Sequence, residues 1–282
     1  MSKESSNAVV PSKTRCAVVS IASNSGLIVI KLIAGWLSGS VAIISEAVHS
    51  FLDLMASFMA WGAVKVSDSP PDYDHPFGHG KTENLAALFE ALLIVVGGLF
   101  IVRQSIEGLI AGRELPSLHL GLAVMLISTI VNIVISNYLF KVGALTGSPA
   151  LTADGWHLRT DVYTSSGIFV ALLTVEIGRA IDPSLNLSRI DGLCALAVAM
   201  LIIKTGISLG WDAAACLVDH SLTPAELQLI KDHIKEMTPK VHGYRRLRTR
   251  RSGPFRMVIV DLVIDARLTV AEAHALGARI AA

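Results

Sequence analysis

One spacing of a histidine and an aspartate occurs twice in this chain. His49 precedes Asp53 by four positions, and His157 precedes Asp161 by the same interval. Positions i and i+4 lie on one face of a helix, so each pair directs an imidazole and a carboxylate the same way. If the two helices face each other, two nitrogens and two oxygens make a tetrahedral ligand set that suits Zn²⁺. Two carboxylates also neutralise a dication.

An intrahelical hydrogen bond would explain either pair alone about as well as a metal site. Both pairs, however, lie in apolar segments, where ionisable side chains are expensive and usually functional. Leucines or neutral polar residues would hold such helices together without burying charge. The repeated pattern therefore favours a metal site over two unrelated hydrogen bonds.

A second cluster of donors lies in the segment between the second and third apolar stretches. Asp72, His75 and His79 are interspersed with glycine and proline, which allow a short loop to fold its donors inward. Three such donors can hold a metal ion and leave one position for water. A polar turn without a metal explains the composition equally well.

The composition places these residues in a membrane protein. The chain has 282 residues, of which 52% are hydrophobic and 17% charged, and its mean hydropathy is +0.58. A helix needs about 20 apolar residues to cross a bilayer, and stretches of that length recur. We therefore predict six transmembrane helices, at about 13–38, 41–66, 81–111, 117–143, 150–180 and 190–216.

An even number of spans places both termini on one side, and the distribution of cationic residues indicates the cytoplasm. The first apolar segment is too long for a removable signal and lacks a small-residue cleavage site, so we expect it to remain. A net charge of +1 gives no general reason to expect nucleic-acid binding. The cationic residues on the predicted cytoplasmic side are Lys3, Lys13, Arg15, Lys65, Lys81 and Lys141.

The three cysteines are scattered singly among apolar residues, and no pair has the spacing of a metal knot or a disulfide framework. We interpret Cys16, Cys194 and Cys216 as packing residues.

Hydropathy falls after residue 218, which divides the chain into a transmembrane domain (1–218) and a cytoplasmic domain (219–282). The order of elements in the second domain is α-β-β-α, and the chain ends in the last helix, so we expect a further strand of the sheet to be missing. The signals are capping boxes at Thr223–Glu226 and Thr269–Glu272, and strands at His242–Arg251 and Phe255–Asp265.

The sequence resembles the cation diffusion facilitator family over nearly its whole length. The likeness is carried by Ser45–Asp53, His75–Lys81 and Ala153–Asp161. The resemblance implies a six-helix transporter with a ferredoxin-like α+β cytoplasmic domain. It also implies a homodimer that exchanges a cytoplasmic divalent cation for protons across the bilayer.

The resemblance to this family implies roles for several residues. Its transport site corresponds to His49, Asp53, His157 and Asp161, and its loop site to Asp72, His75 and His79. Histidine at position 49 favours zinc over cadmium or manganese. Lys81 and Asp219 match a charge pair at the junction of membrane and cytoplasm, although two unrelated interfacial charges would look the same.

The chain also departs from the family pattern. Glu46 stands where relatives often have aspartate, and its role is open. His274 matches a metal ligand of some relatives, whereas Arg245 and Asp261 replace histidines. We therefore expect at most a weak cation site at Asp261 and His274. His220, His233 and His242 are expected to be surface residues.

These patterns predict a secondary transporter, not an enzyme. Its expected activity is Zn²⁺ efflux in exchange for protons, with Cd²⁺, Fe²⁺, Co²⁺ and Mn²⁺ as other candidate substrates. A membrane metallohydrolase needs an open coordination position and a general base, and no HExxH motif occurs. A metal sensor or scaffold that does not transport is a second alternative. The short loops favour a bacterial inner membrane.

Overall fold

Six long helices account for most of the chain. The computed structural model describes residues 12–38, 41–111, 119–181, 188–236 and 241–281. A helix occupies each of the six predicted apolar segments. In chain order they are α1 (Lys13–Ser38), α2 (Val41–Ser67), α3 (Lys81–Ala111), α4 (His119–Thr146), α5 (Pro149–Ile181) and α6 (Ser188–Leu217).

Among the described residues, α1, α3, α4 and α6 contain stretches long and apolar enough to cross a membrane. The helices also place their polar side chains inward and large apolar ones outward, which is the reverse of a water-soluble bundle. Buried polar residues include Ser20, Asn24, Lys31, Asp53, Ser57, Glu90, Asp154 and His157. Exposed apolar residues include Val29, Ile33, Trp36, Leu92, Val96, Phe100, Val134 and Met200. The chain therefore has a helical membrane domain.

The bundle is arranged around α5, which contacts all five other long helices. The pairs α3 with α6, α1 with α2, and α4 with α5 pack most extensively. Small side chains permit the close approach of α3 and α5, where Ala87 and Ala153 are buried against each other. This arrangement brings the ionisable residues of α2, α3 and α5 toward the middle of the bundle.

The C-terminal part is a small α+β domain whose two strands form an antiparallel hairpin. Ile234, Val241 and Leu276 form the centre of its core. Both predicted capping boxes are confirmed: the hydroxyls of Thr223 and Thr269 each accept a backbone N–H hydrogen bond of 3.3 Å. The elements are α7 (Pro224–Glu236), β1 (Val241–Ser252), β2 (Phe255–Ile264) and α8 (Val270–Ala281).

A salt bridge fastens α7 to the sheet. Arg256 of β2 donates a 2.6 Å hydrogen bond from Nε to Glu226 Oε1. This contact, with the capping bonds from Thr223, holds the pKa of Glu226 at about 2, below its ordinary value. The carboxylate is therefore ionised throughout the physiological range.

The turn of the hairpin rests on the start of α3. Gly253 donates a buried 2.6 Å hydrogen bond from its backbone nitrogen to Asn84 Oδ1. Its φ of 57° lies in the left-handed region, which glycine adopts without strain. We call the end of the bundle where α3 and α5 begin the sheet-facing end.

Candidate metal centre

Local sequence at the start of α5 determines where its ionisable residues lie. Gly147, with a φ of 66°, ends α4, and Ser148 caps α5 by accepting a 3.3 Å hydrogen bond from the nitrogen of Leu151. Pro149 occupies the first helical position, where its missing N–H has no cost. Ser148 also donates a hydrogen bond to the buried Glu83 of α3, which sets the register of α5 against α3.

Inside the bundle, Asp53, His157 and Asp161 come together. Each offers one ligand atom, and these atoms all lie within 4.8 Å of one another. His157 Nε2 lies 3.0 Å from Asp53 Oδ1, so the imidazole pairs with the carboxylate of the other helix. Asp53 is 5% exposed and His157 is 8% exposed. Such a cluster can bind a divalent cation, because its carboxylates offset the charge and its imidazole supplies a nitrogen donor.

The fourth predicted ligand, His49, belongs to α2 one turn before Asp53. Its side chain, like that of Glu46, lies outside the described residues. A helix that presents Asp53 to α5 also carries position 49 on the same face.

Sequence reasoning assigned no role to two further carboxylates in the bundle. Glu90 of α3 and Asp154 of α5 are both 0% exposed. Asp154 Oδ1 accepts a 3.0 Å hydrogen bond from Ser57, whose own oxygen accepts one of 2.9 Å from Asn24. The signal was present in the sequence, since an acidic residue within an apolar span is itself a candidate functional residue.

The loop between α2 and α3 gathers the second predicted set. Asp72 Oδ1 accepts a 2.7 Å hydrogen bond from the backbone nitrogen of His75, and Asp72 Oδ2 lies 3.3 Å from His79 Nε2. The two imidazole rings have centroids 4.4 Å apart. The hydrogen bond from the His75 backbone, followed by the imidazole contacts, holds the pKa of Asp72 below its ordinary range. The carboxylate of Asp72 therefore remains ionised at neutral pH, as a metal ligand must be.

We expect this loop group to bind one divalent cation per chain. Replacing both His75 and His79 with alanine removes two of its three donors, so the number of Zn²⁺ ions bound per chain should fall by one. Isothermal titration calorimetry of the protein in detergent measures this number. His220→Ala is the matched control, because that exposed imidazole belongs to neither group of potential ligands and its Nδ1 lies 3.1 Å from the neighbouring Ser221 carbonyl. An unchanged stoichiometry in the double variant would contradict the assignment.

A charge network joins this loop to the C-terminal domain. Lys81 Nζ lies 2.8 Å from Asp219 Oδ1, and Arg250 Nη1 donates to both oxygens of Asp219, at 3.1 and 3.0 Å. Arg250 also lies over the ring of Phe77, 4.7 Å from its centroid. Lys81 and then Arg250 hold the pKa of Asp219 below its ordinary value. Sequence reasoning paired Lys81 with Asp219 but missed Arg250, which has no local signal.

The predicted site in the C-terminal domain has a different arrangement. Asp261 pairs with Arg246, whose Nε lies 2.5 Å from Oδ2, and it stands opposite Arg245 in the hairpin. Two groups of three or more potential ligands occur among the described residues, and neither includes Asp261 or His274. A cation at Asp261 would have to displace a guanidinium, so any site there would be weak. His220, His233 and His242 are exposed, as predicted.

Comparison with known proteins shows that both parts of the chain match domains of cation efflux proteins. The profile of the cation efflux transmembrane domain matches residues 17–218, and that of the cytoplasmic domain of cation efflux proteins matches residues 222–282. The cation-efflux pump FieF of Salmonella agona is 34% identical over 261 residues, covering 93% of this chain and 84% of the pump. FieF of Salmonella schwarzengrund is 33% identical over 267 residues, covering 95% and 86%.

Proposed function

Because the chain belongs to the cation diffusion facilitator family, and hence to a family of divalent-cation efflux proteins, we propose that it exports Zn²⁺ in exchange for protons. The cation would bind at His49, Asp53, His157 and Asp161. The observation that carries the proposal is the cluster formed by the buried Asp53 and His157 with the half-buried Asp161 inside an apolar bundle. A stable fold does not require such a cluster, whereas a cation path does.

The donor set supports zinc as the principal substrate. Two imidazoles and two carboxylates fit a tetrahedral ion that accepts both nitrogen and oxygen ligands. Cd²⁺, Fe²⁺, Co²⁺ and Mn²⁺ also bind such donors, so we expect them to compete with zinc at lower apparent affinity. The two aspartates neutralise the dication, which offsets the free-energy cost of removing the cation from water into an apolar bundle.

Exchange for protons follows from the chemistry of the same ligands. Zinc binds neutral imidazoles and ionised carboxylates, so binding expels protons and protonation weakens binding. The 3.0 Å contact of His157 Nε2 with Asp53 Oδ1 supports this scheme, because a proton between these atoms occupies the place of the cation. We infer that a rocking motion of the helices exposes the site alternately to each side.

The wider architecture forms part of the proposal. Residues 1–218 would cross the bacterial inner membrane six times, with both termini in the cytoplasm. Residues 219–282 would form a cytoplasmic domain of ferredoxin-like type through which two chains associate. The profile match of residues 222–282 to the cytoplasmic domain of cation efflux proteins supports this orientation. The sheet-facing end of the bundle is then the cytoplasmic end.

The proposal predicts that an imposed pH gradient drives zinc flux. In proteoliposomes loaded with a zinc-sensitive dye, an acidic interior should accelerate Zn²⁺ uptake several-fold over equal pH on both sides. The reason is that protons leaving the lumen exchange for the entering cation. Dissipating the gradient with a proton ionophore is the control. Flux that ignores the gradient would refute proton exchange, and zinc binding without any flux would favour a sensor or scaffold.

A further inference from the structure

Glu90 and Asp154 form a pair of buried carboxylates distinct from the cluster of Asp53, His157 and Asp161. They interact electrostatically with each other, and each also interacts with His157. Both are fully buried. Their helices approach closely where Ala87 packs against Ala153, which precedes Asp154 directly.

The register of α3 and α5 fixes the depth of this pair. The hydrogen bond between Ser148 and Glu83 marks the same level on both helices at the sheet-facing end. With a rise of about 1.5 Å per residue, Glu90 lies about 10 Å beyond that level and Asp154 about 9 Å. His157 lies about 13 Å beyond it on the same scale. A cation moving inward from the sheet-facing end therefore reaches the level of the carboxylate pair about 3 to 4.5 Å before His157, which is less than one helical turn.

The hydrogen bonds of the pair are incomplete. Asp154 Oδ1 is held by Ser57 at 3.0 Å, but Asp154 Oδ2 and both carboxylate oxygens of Glu90 have no hydrogen-bond partner within the described residues. Carboxylate oxygens buried without partners are costly, and the electrostatic interaction between the two carboxylates adds mutual repulsion when both are ionised. Packing alone gives no reason for them, because an apolar side chain would fill the same volume without this cost.

We propose that Glu90 and Asp154 form a loading position, where the divalent cation binds on its way from the sheet-facing end to the transport site. The inference rests on the proposed function and adds a step to it. Three unpartnered oxygens on two carboxylates are the ligand type of a divalent cation that keeps part of its water shell. Protonation would neutralise either carboxyl group but would still leave these buried oxygens without a hydrogen-bond acceptor or donor among the described residues, so the cation accounts for more of the arrangement.

The oxygen-only ligands also define what the loading position does. Carboxylates bind Mn²⁺, Fe²⁺ and Zn²⁺ alike, whereas the imidazoles of the transport site favour zinc. The loading position therefore raises the local concentration of any divalent cation, and selection occurs at the transport site beyond it. Removing its charge should weaken the apparent affinity for every transported cation by a similar factor.

Glu90→Gln tests the proposal, because it removes the charge and keeps the shape. Initial rates of Zn²⁺ uptake should show a KM about tenfold higher, with the rate at saturating zinc within about twofold of wild type. The number of Zn²⁺ ions bound per chain at equilibrium should not change, because the loading position is occupied only transiently before the cation moves on to the transport site. Glu90→Asp keeps the charge and should restore much of the KM. The matched control is Glu107→Gln on the same helix, an exposed carboxylate 2.8 Å from Arg103.

Three outcomes would overturn the loading position. One is an unchanged KM in a Glu90→Gln protein that elutes and melts like wild type. A second is an unchanged KM with flux that no longer responds to the pH gradient, which would assign the pair to protons instead. The third is an equal loss of flux in Glu90→Gln and Glu90→Asp, which would indicate a structural role. Failure of the proposed function is separate, since the wild-type protein itself would then transport no cation.

Discussion

Replacing Asp53 with alanine should reduce Zn²⁺ flux by at least a factor on the order of a hundred. Loss of even an outer-shell partner of a metal ligand lowers affinity by about 10- to 100-fold, and Asp53 is itself a proposed ligand. The substitution also removes one of two carboxylates that offset the charge of the dication. It leaves the buried His157 without its 3.0 Å partner as well. Asp161→Ala should have an effect of the same order, because it removes the other carboxylate.

The measurement is dye-reported zinc uptake in proteoliposomes at matched protein content, with the interior acidic. Asp53→Asn separates charge from shape, and it should be as inactive as the alanine variant if the negative charge is required. Asp232→Ala is a suitable control, since this exposed carboxylate of α7 accepts a 2.9 Å hydrogen bond from Gln228 and lies 3.6 Å from Lys235, both on its own helix. Substantial flux in Asp53→Ala would show that the cation passes elsewhere.

The sequence predicted the parts of this site that depend on the period of a helix. His157 and Asp161 share one face of α5, and the structure directs that face at Asp53 of α2. The spacing along the sequence could not show which imidazole and which carboxylate are in direct contact. His157 contacts Asp53, 104 positions away, at 3.0 Å. The i, i+4 rule gives the side of a helix on which a residue lies, whereas the packing of helices decides what lies opposite.

Signals confined to a few residues were also readable. The capping boxes at Thr223 and Thr269 depend on a hydroxyl and a carboxylate three positions apart, and both occur as predicted. The potential ligands of the loop group lie within eight positions, so chain geometry alone brings them near one another. Local signals of this kind are independent of the rest of the fold.

The residues that sequence reasoning missed are joined by contacts between distant segments. Arg250 reaches Asp219 across 31 positions, and Gly253 reaches Asn84 across 169. Glu90 differs, because an acidic residue in an apolar span was visible. Its pairing with Asp154 was not, since it depends on the register of α3 against α5. Long-range contacts of this kind depend on how all the helices and strands pack, and they produce no periodic pattern in the sequence.

The contact between the hairpin and α3 leads to a second prediction, that Gly80→Ala will displace the C-terminal domain. A Cβ at position 80 would lie 2.4 Å from the backbone oxygen of Ser252 and 2.9 Å from a ring carbon of Phe255. Backbone atoms cannot rotate away as a side chain can, so the turn itself must move. Overpacking of this type typically costs about 1–3 kcal/mol. The movement should break the buried hydrogen bond from Gly253 to Asn84.

Hydrogen exchange followed by mass spectrometry measures this effect directly. In Gly80→Ala the peptide covering residues 250–256 should exchange roughly tenfold faster, which corresponds to about 1.4 kcal/mol. Gly97→Ala in α3 is the control, because a Cβ there meets nothing within 4 Å and the peptide should keep its protection. Unchanged protection in Gly80→Ala would mean that the turn is not held against α3.

Gly80 separates His79 of the loop group from Lys81 of the charge network, so displacing the turn should also weaken zinc binding by the loop. A lower affinity of the loop group for zinc, together with faster hydrogen exchange in the turn, would therefore show that the position of the C-terminal domain and zinc binding by the loop group are coupled.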